Sequence, residues 1–176
     1  MLKKIAKWFG ILLTLCLLAI GLGYTALRWH DGPVEFWPWF TISIGGPFRS
    51  GELTASPASW DFIKQREVIE FQTLTPSTSR TVWVSVVDGR LFIVSGYMSS
   101  TLGRLWKQWP VYMEADNRVL LRIDNKLYEQ RLQRIEQRPE IVPVMTEISR
   151  KYGNGDPGSE AAVSGGFVWM FEVVRR

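Results

Sequence analysis

The sequence predicts an α+β chain: an N-terminal transmembrane helix, then a small, mainly antiparallel β-barrel with a few short helices. Three observations predict it. Trp8 to Leu27 is a run of 20 residues without a charge. Downstream, short segments of alternating or β-branched residues are separated by tight-turn dipeptides such as Asp88-Gly89, which join antiparallel neighbours rather than parallel ones. One stretch near the end carries apolar residues at helical spacing.

The uncharged run, as a helix rising about 1.5 Å per residue, spans roughly 30 Å, the thickness of a hydrocarbon core. Lys3, Lys4 and Lys7 precede it, and Arg28, His30, Asp31 and Glu35 follow as a mixed cluster. The positive-inside rule then leaves the N-terminus in the cytoplasm and delivers the body to the far, periplasmic or extracytoplasmic side, as a single-pass protein with residues 8–27 in lipid. Trp8, Tyr24 and Trp29 stand where interfacial aromatics belong. A cleavable signal peptide is the rival reading. Against it, Tyr24-Thr25-Ala26 is a poor small-residue cleavage site, and the apolar run exceeds the usual length. Cys16 follows Leu15, not a small residue, which disfavours a lipoprotein site. A buried soluble helix is the third option, and the three lysines count against it.

Residues 1–33 form the anchor and its flank, and 34–176 one barrel domain with a core at 66–152, a mobile loop at 153–166 and a last strand at 167–174. Residues 32–59 are rich in aromatics and turns, and Trp37, Trp39 and Phe40 suit either core packing or a lipid surface. Ser56-Pro57 has the form of an N-cap and first helical residue, predicting a short helix to Arg66 with Trp60 and Ile63 on one side. Strands are expected at 68–73, 81–87, 90–95, 111–115, 119–123, 127–135 and 167–174. Val82, Val84 and Val86 then share one face of the second strand, with Trp83 and Ser85 on the other. Thr101 to Trp109 reads as a short helix stopped by Pro110. Pro139 to Tyr152 places Ile141, Val144, Met145, Ile148 and Tyr152 on one helical face, closed by Gly153.

Composition narrows the chemistry. Of 176 residues, 46% are hydrophobic and 22% charged, which excludes disorder as the main state. The net charge of +4 arises mostly from the first 33 residues, where Lys3, Lys4, Lys7 and Arg28 face Asp31 alone. The body is nearly neutral, so a nucleic-acid partner is not expected. One cysteine and one histidine, Cys16 and His30, both lie in or beside the apolar run. They leave no disulfide framework, no metal site and no Ser-His-Asp or Cys-His machinery. Carboxylates are scattered without an acid/base spacing, so strong chemistry would have to come from a bound cofactor.

Hydroxyls and cations gather around the central hairpin. Thr75, Ser77, Thr78, Ser79, Arg80 and Thr81 lead into one strand. Ser95-Gly96-Tyr97-Met98-Ser99-Ser100-Thr101 follows its partner and runs into a segment carrying Arg104 and Lys107. Such donors beside a helix start suit a phosphate, although the same run is common in ordinary loops. Arg80 has the alternative of pairing with Asp88 or Glu70 on the surface, and Arg104 and Lys107 of forming a solvated helix face. Trp83, Trp106, Trp109 and Trp169 read as core packing ahead of a ring-stacking platform.

The stretches SRTVWVSVVDGRLFIVSGY, LGRLWKQWP-VYMEADNRVLLRIDNKLYEQRL, PEIVPVMTEISRKYG and FVWMFEV together resemble the split β-barrel of the pyridoxamine-phosphate oxidase-like, flavin-binding superfamily, especially its deazaflavin-dependent nitroreductase-like branch. The resemblance covers about half the chain. It implies a cofactor, FMN or a deazaflavin, and an oxidoreductase passing electrons to a small or lipid-soluble acceptor. Carried over, Ser79, Arg80 and Thr81 would meet the phosphate or ring edge, and Arg104 and Lys107 the phosphate. Ser95, Tyr97 and Ser99 would approach through backbone groups, and Trp106 would brace the helix. A homodimer is implied by the same resemblance. The competing reading is a non-enzymatic envelope module that kept the barrel and lost the cofactor.

Overall fold

The structure, a computed structural model, describes residues 2–36, 42–100 and 108–176. Helix α1 (Leu2–Trp29) is exposed from Lys4 to Ala26, and its segment Lys4–Trp29 is long and apolar enough to cross a membrane, with a mean hydropathy of 2.2. The strands are β1 (Pro33–Phe36), β2 (Ile42–Gly45), β3 (Glu52–Leu53), β4 (Val68–Leu74), β5 (Ser77–Val87), β6 (Arg90–Ser95), β7 (Arg118–Ile123), β8 (Lys126–Ile135) and β9 (Trp169–Arg175). Helices α2 (Trp109–Ala115), α3 (Ile141–Tyr152) and α4 (Ala161–Ser164) lie among them.

Six strands close on themselves in the order β5-β4-β7-β8-β9-β6 and back to β5, every pairing antiparallel. The turn residues decide the neighbours. Asp88 (φ 51°) and Gly89 (φ 71°) make the β5–β6 turn, and Asp124 (φ 49°) and Asn125 (φ 61°) the β7–β8 turn, both with two left-handed residues as a primed hairpin requires. A cis Thr75–Pro76 bond links β4 to β5.

The two longest strands each hold two partners along one edge. β5 is paired by β2 at Ser79 and by β6 from Val84 to Val87. β8 is paired by β3 in parallel at Lys126 and Leu127, and by β9 from Gln130 to Ile135. Their extra length is what binds the N-terminal segments to the barrel.

Alternation fills the barrel. Val82, Val84 and Val86 point inward with Phe71, Leu91, Ile93, Leu121 and Phe171, as expected for one face of β5. A second core lies outside the wall, where Ile141 and Val144 of α3 and Val163 of α4 pack on Phe92, Ile135, Val168 and Met170. It explains why β9 is apolar on both faces: Phe171 serves the inner core and Met170 the outer.

Several expectations are corrected. Val111–Ala115 is helix, not strand, because Pro110 sits in the first turn of α2, where its missing N–H costs nothing. Trp109 therefore belongs to α2, while residues 101–107 of the expected preceding helix lie outside the described residues, as do Trp37, Trp39 and Phe40. Ser56-Pro57 starts no helix. The Ser56 hydroxyl accepts from Gln130 Nε2 at 2.5 Å, and only Asp61–Ile63 forms a 3₁₀ turn, although Trp60 and Ile63 are buried as expected. The glycine-rich stretch 153–166 contains α4, and Gly158 approaches α3 so closely that a Cβ there would fall 2.4 Å from the Thr146 backbone nitrogen.

Candidate functional site

Among the described residues, the shared edge of β5 carries β2 at Ser79 and β6 from Val84, and residues 80–83 lie between these two pairings. The pleat divides the expected trio. Arg80 follows Val82 and Val84 to the inner side, while Ser79 and Thr81 face outward. Ser79 is fully buried and donates to the Gly46 carbonyl at 2.6 Å. Ser95, buried at the end of β6, donates to the Met98 sulfur at 3.5 Å. Tyr97, at φ 65°, and Ser99 are exposed, and Tyr97 rests edge-on against Phe167. Arg104, Lys107 and Trp106 lie outside the described residues.

Arg80 does not pair with Asp88 or Glu70. It stands opposite Phe71 in the β4–β5 ladder, and Phe71 packs edge-on against Trp109 of α2. Its one hydrogen bond among the described residues runs from Nη2 to the Thr78 hydroxyl at 3.2 Å, and its Nε is shielded from solvent with no partner. No carboxylate neutralises it among the described residues. Burial in this apolar setting pushes the guanidinium down to about 10, against which the neighbouring Tyr112 acts in the raising direction.

On the outer side of the same stretch, Trp83 is half exposed and stacks on Tyr152 with ring centroids 4.6 Å apart and planes within 6°. Core packing was expected for Trp83; Trp109 alone of the described candidates is buried in the inner core, with Trp169 partly so. Arg134 lies 3.7 Å from the Trp169 ring centroid and pairs with Glu114 of α2. The Tyr152 hydroxyl accepts from the Val84 N–H at 3.0 Å and lies against the Val84 and Glu67 carbonyls. Burial first, then the nearby Glu67 and Glu147 charges, push its phenol up to about 12, so it stays neutral and able to donate. Lys151 Nζ donates to the carbonyls of Arg66 and Val84 at 2.5 and 2.9 Å.

A second polar constellation ties α1 to the barrel and was not singled out in the sequence. Arg122 of β7, little exposed, reaches Asp31 at 2.8 Å and Glu70 at 2.5 Å, and its guanidinium lies over Phe48 at 4.4 Å. Asp31 also accepts from the Arg49 N–H at 2.7 Å and from the Ser50 hydroxyl. Burial raises the Asp31 carboxyl, but these bonds from Ser50, Arg49 and Arg122 outweigh it and hold it at about 2. Arg122 alternates with Leu121 and Ile123, so in sequence it reads as an ordinary outward-facing charge. Only the mixed Arg28–Glu35 cluster after the helix hinted at a junction.

No protein-family model matches the chain, and no curated protein matches it. Among solved structures, the conserved hypothetical protein Rv2991 from Mycobacterium tuberculosis is similar over 66% of this chain and 77% of its own, with 16% identity and a TM-score of 0.49.

Proposed function

We propose that the chain is a membrane-tethered split-barrel protein that holds a phosphate-bearing ligand of the flavin class, FMN or a deazaflavin, against the inner side of β5. The supporting observation is Arg80, a partly buried guanidinium with no carboxylate partner among the described residues and with its Nε shielded and idle. An unpaired buried charge is costly, so an oxyanion that accepts from this Nε recovers the loss. Arg80 fits the anionic tail of such a ligand. The hydroxyls of Ser79 and Ser95 do not fit as further donors, because both are already spent within the protein. A bound flavin would supply the electron transfer; this chain's part would be to bind its phosphate through Arg80.

The test is titration of the full chain in nanodiscs with FMN and with a deazaflavin cofactor, read by flavin fluorescence and thermal unfolding. A ligand at 100 times its Kd raises stability by about 2.7 kcal/mol. Arg80→Met is expected to abolish binding while leaving the unliganded melting temperature unchanged or higher, since it removes an uncompensated charge. No fluorescence change and no thermal shift at saturating ligand would overturn the reading.

The commitment of Ser79 and Ser95, with a barrel interior filled by side chains, favours a second reading: a non-enzymatic module of the same barrel without a cofactor. Turnover of a small electron acceptor by the flavin-loaded chain would remove it.

A further inference from the structure

We propose that the end of α1 and the segment 46–51 form one docking surface for lipid phosphates, in which Arg28 and Arg49 seat the barrel directly on the bilayer in a fixed orientation. The proposal rests on α1 spanning the membrane. Its span of 26 residues is about 39 Å long at the helical rise, longer than a hydrocarbon core of roughly 30 Å. The last turn therefore stands in the headgroup layer, where Trp29, 73% exposed, has the amphipathic ring favoured there.

Segment 46–51 stands at that same level. A Cβ on Gly46 would fall 2.4 Å from the carbonyl oxygens of both Arg28 and His30, so no side chain can intervene between helix end and barrel. The Arg49 guanidinium lies 5.7 Å from the Trp29 ring centroid, and its backbone N–H is bonded to Asp31. Asp31, the acid nearest to Arg28 in sequence, is engaged by Arg122. Among the described residues neither Arg28 nor Arg49 has a carboxylate partner, and Arg28 reaches only the Gly45 carbonyl at 3.5 Å. Two cations without a carboxylate partner among the described residues, held beside an interfacial tryptophan, match the phosphates of lipid headgroups.

Spin labels placed one at a time at Leu17→Cys, Pro47→Cys and Gly155→Cys, each with Cys16→Ser, test this in the full chain. The host is nanodiscs of phosphatidylcholine and phosphatidylglycerol in equal parts. Accessibility to oxygen over a water-soluble nickel chelate is expected to fall in the order 17, 47, 155, with the label at 47 at phosphate depth. Arg28→Glu with Arg49→Glu is expected to shift the label at 47 toward water and leave that at 155 unchanged. A deep label at 17 with a fully aqueous one at 47 overturns the docking while the anchor stands. An aqueous label at 17 overturns the anchor and the docking with it. A label at 47 that ignores the charge reversal overturns the role of the two arginines.

Discussion

Ser85 is fully buried on the outer face of β5, and its hydroxyl has no hydrogen-bond partner among the described residues. An unsatisfied buried hydroxyl weakens a fold by about 1–3 kcal/mol relative to a paired one. Ser85→Ala is therefore expected to leave the melting temperature unchanged or raise it, as read by thermal unfolding of the full chain. A clear loss would mean that the hydroxyl has a partner in solution. The alternation of Val82, Val84 and Val86 was legible in the sequence, and so was the outward direction of Ser85. Its burial was not, because it depends on α3, which arrives from more than fifty residues downstream. Arg80 shows the same limit. Its position in the hydroxyl run suggested either a surface pair or a phosphate contact, and only the pleat decided that it turns inward, away from Asp88 and Glu70.

Helix α3 is locked to β5 at its C-terminal end. Tyr152 stacks on Trp83 and takes up the Val84 N–H, and Lys151 adds two carbonyl contacts. Tyr152→Phe keeps the stacked ring and removes the hydroxyl, leaving the Val84 amide with only the longer contact to Glu67, 3.3 Å. The expected cost is about 1–2 kcal/mol, with faster hydrogen exchange at Val84 than at Leu91 in the barrel wall. Equal protection at both amides would count against the lock. The helix itself was readable from the spacing of Ile141, Val144, Met145, Ile148 and Tyr152. The helix α2 was not, because Val111-Tyr112-Met113 has β propensity and Pro110 serves equally as a stop or as a first helical residue. Packing of Trp109 and Met113 over the end of the inner core settles the choice.

At the scale of the whole molecule, the joint between α1 and the barrel is sensitive to acid. The Asp31 carboxyl is lowered from 3.8 to about 2. A depressed carboxylate contributes stability that is complete above its unfolded value and is lost as pH falls through its folded value. The joint is thus expected to loosen between about pH 4 and pH 2, seen as rising hydrogen exchange at the Arg49 amide. Asp31→Asn should flatten that dependence; an unchanged profile would mean that another group governs it. The sequence by itself determined the apolar helix, the hairpin turns and the two-fold and helical periodicities, because each arises from residues within a turn or two of one another. Tertiary structure alone decided the closure of the barrel, the sharing of the long edges of β5 and β8, and the union of Asp31, Glu70 and Arg122 across 91 residues of chain. Those depend on which surfaces exclude water from one another, and local patterning carries no record of the distant partner.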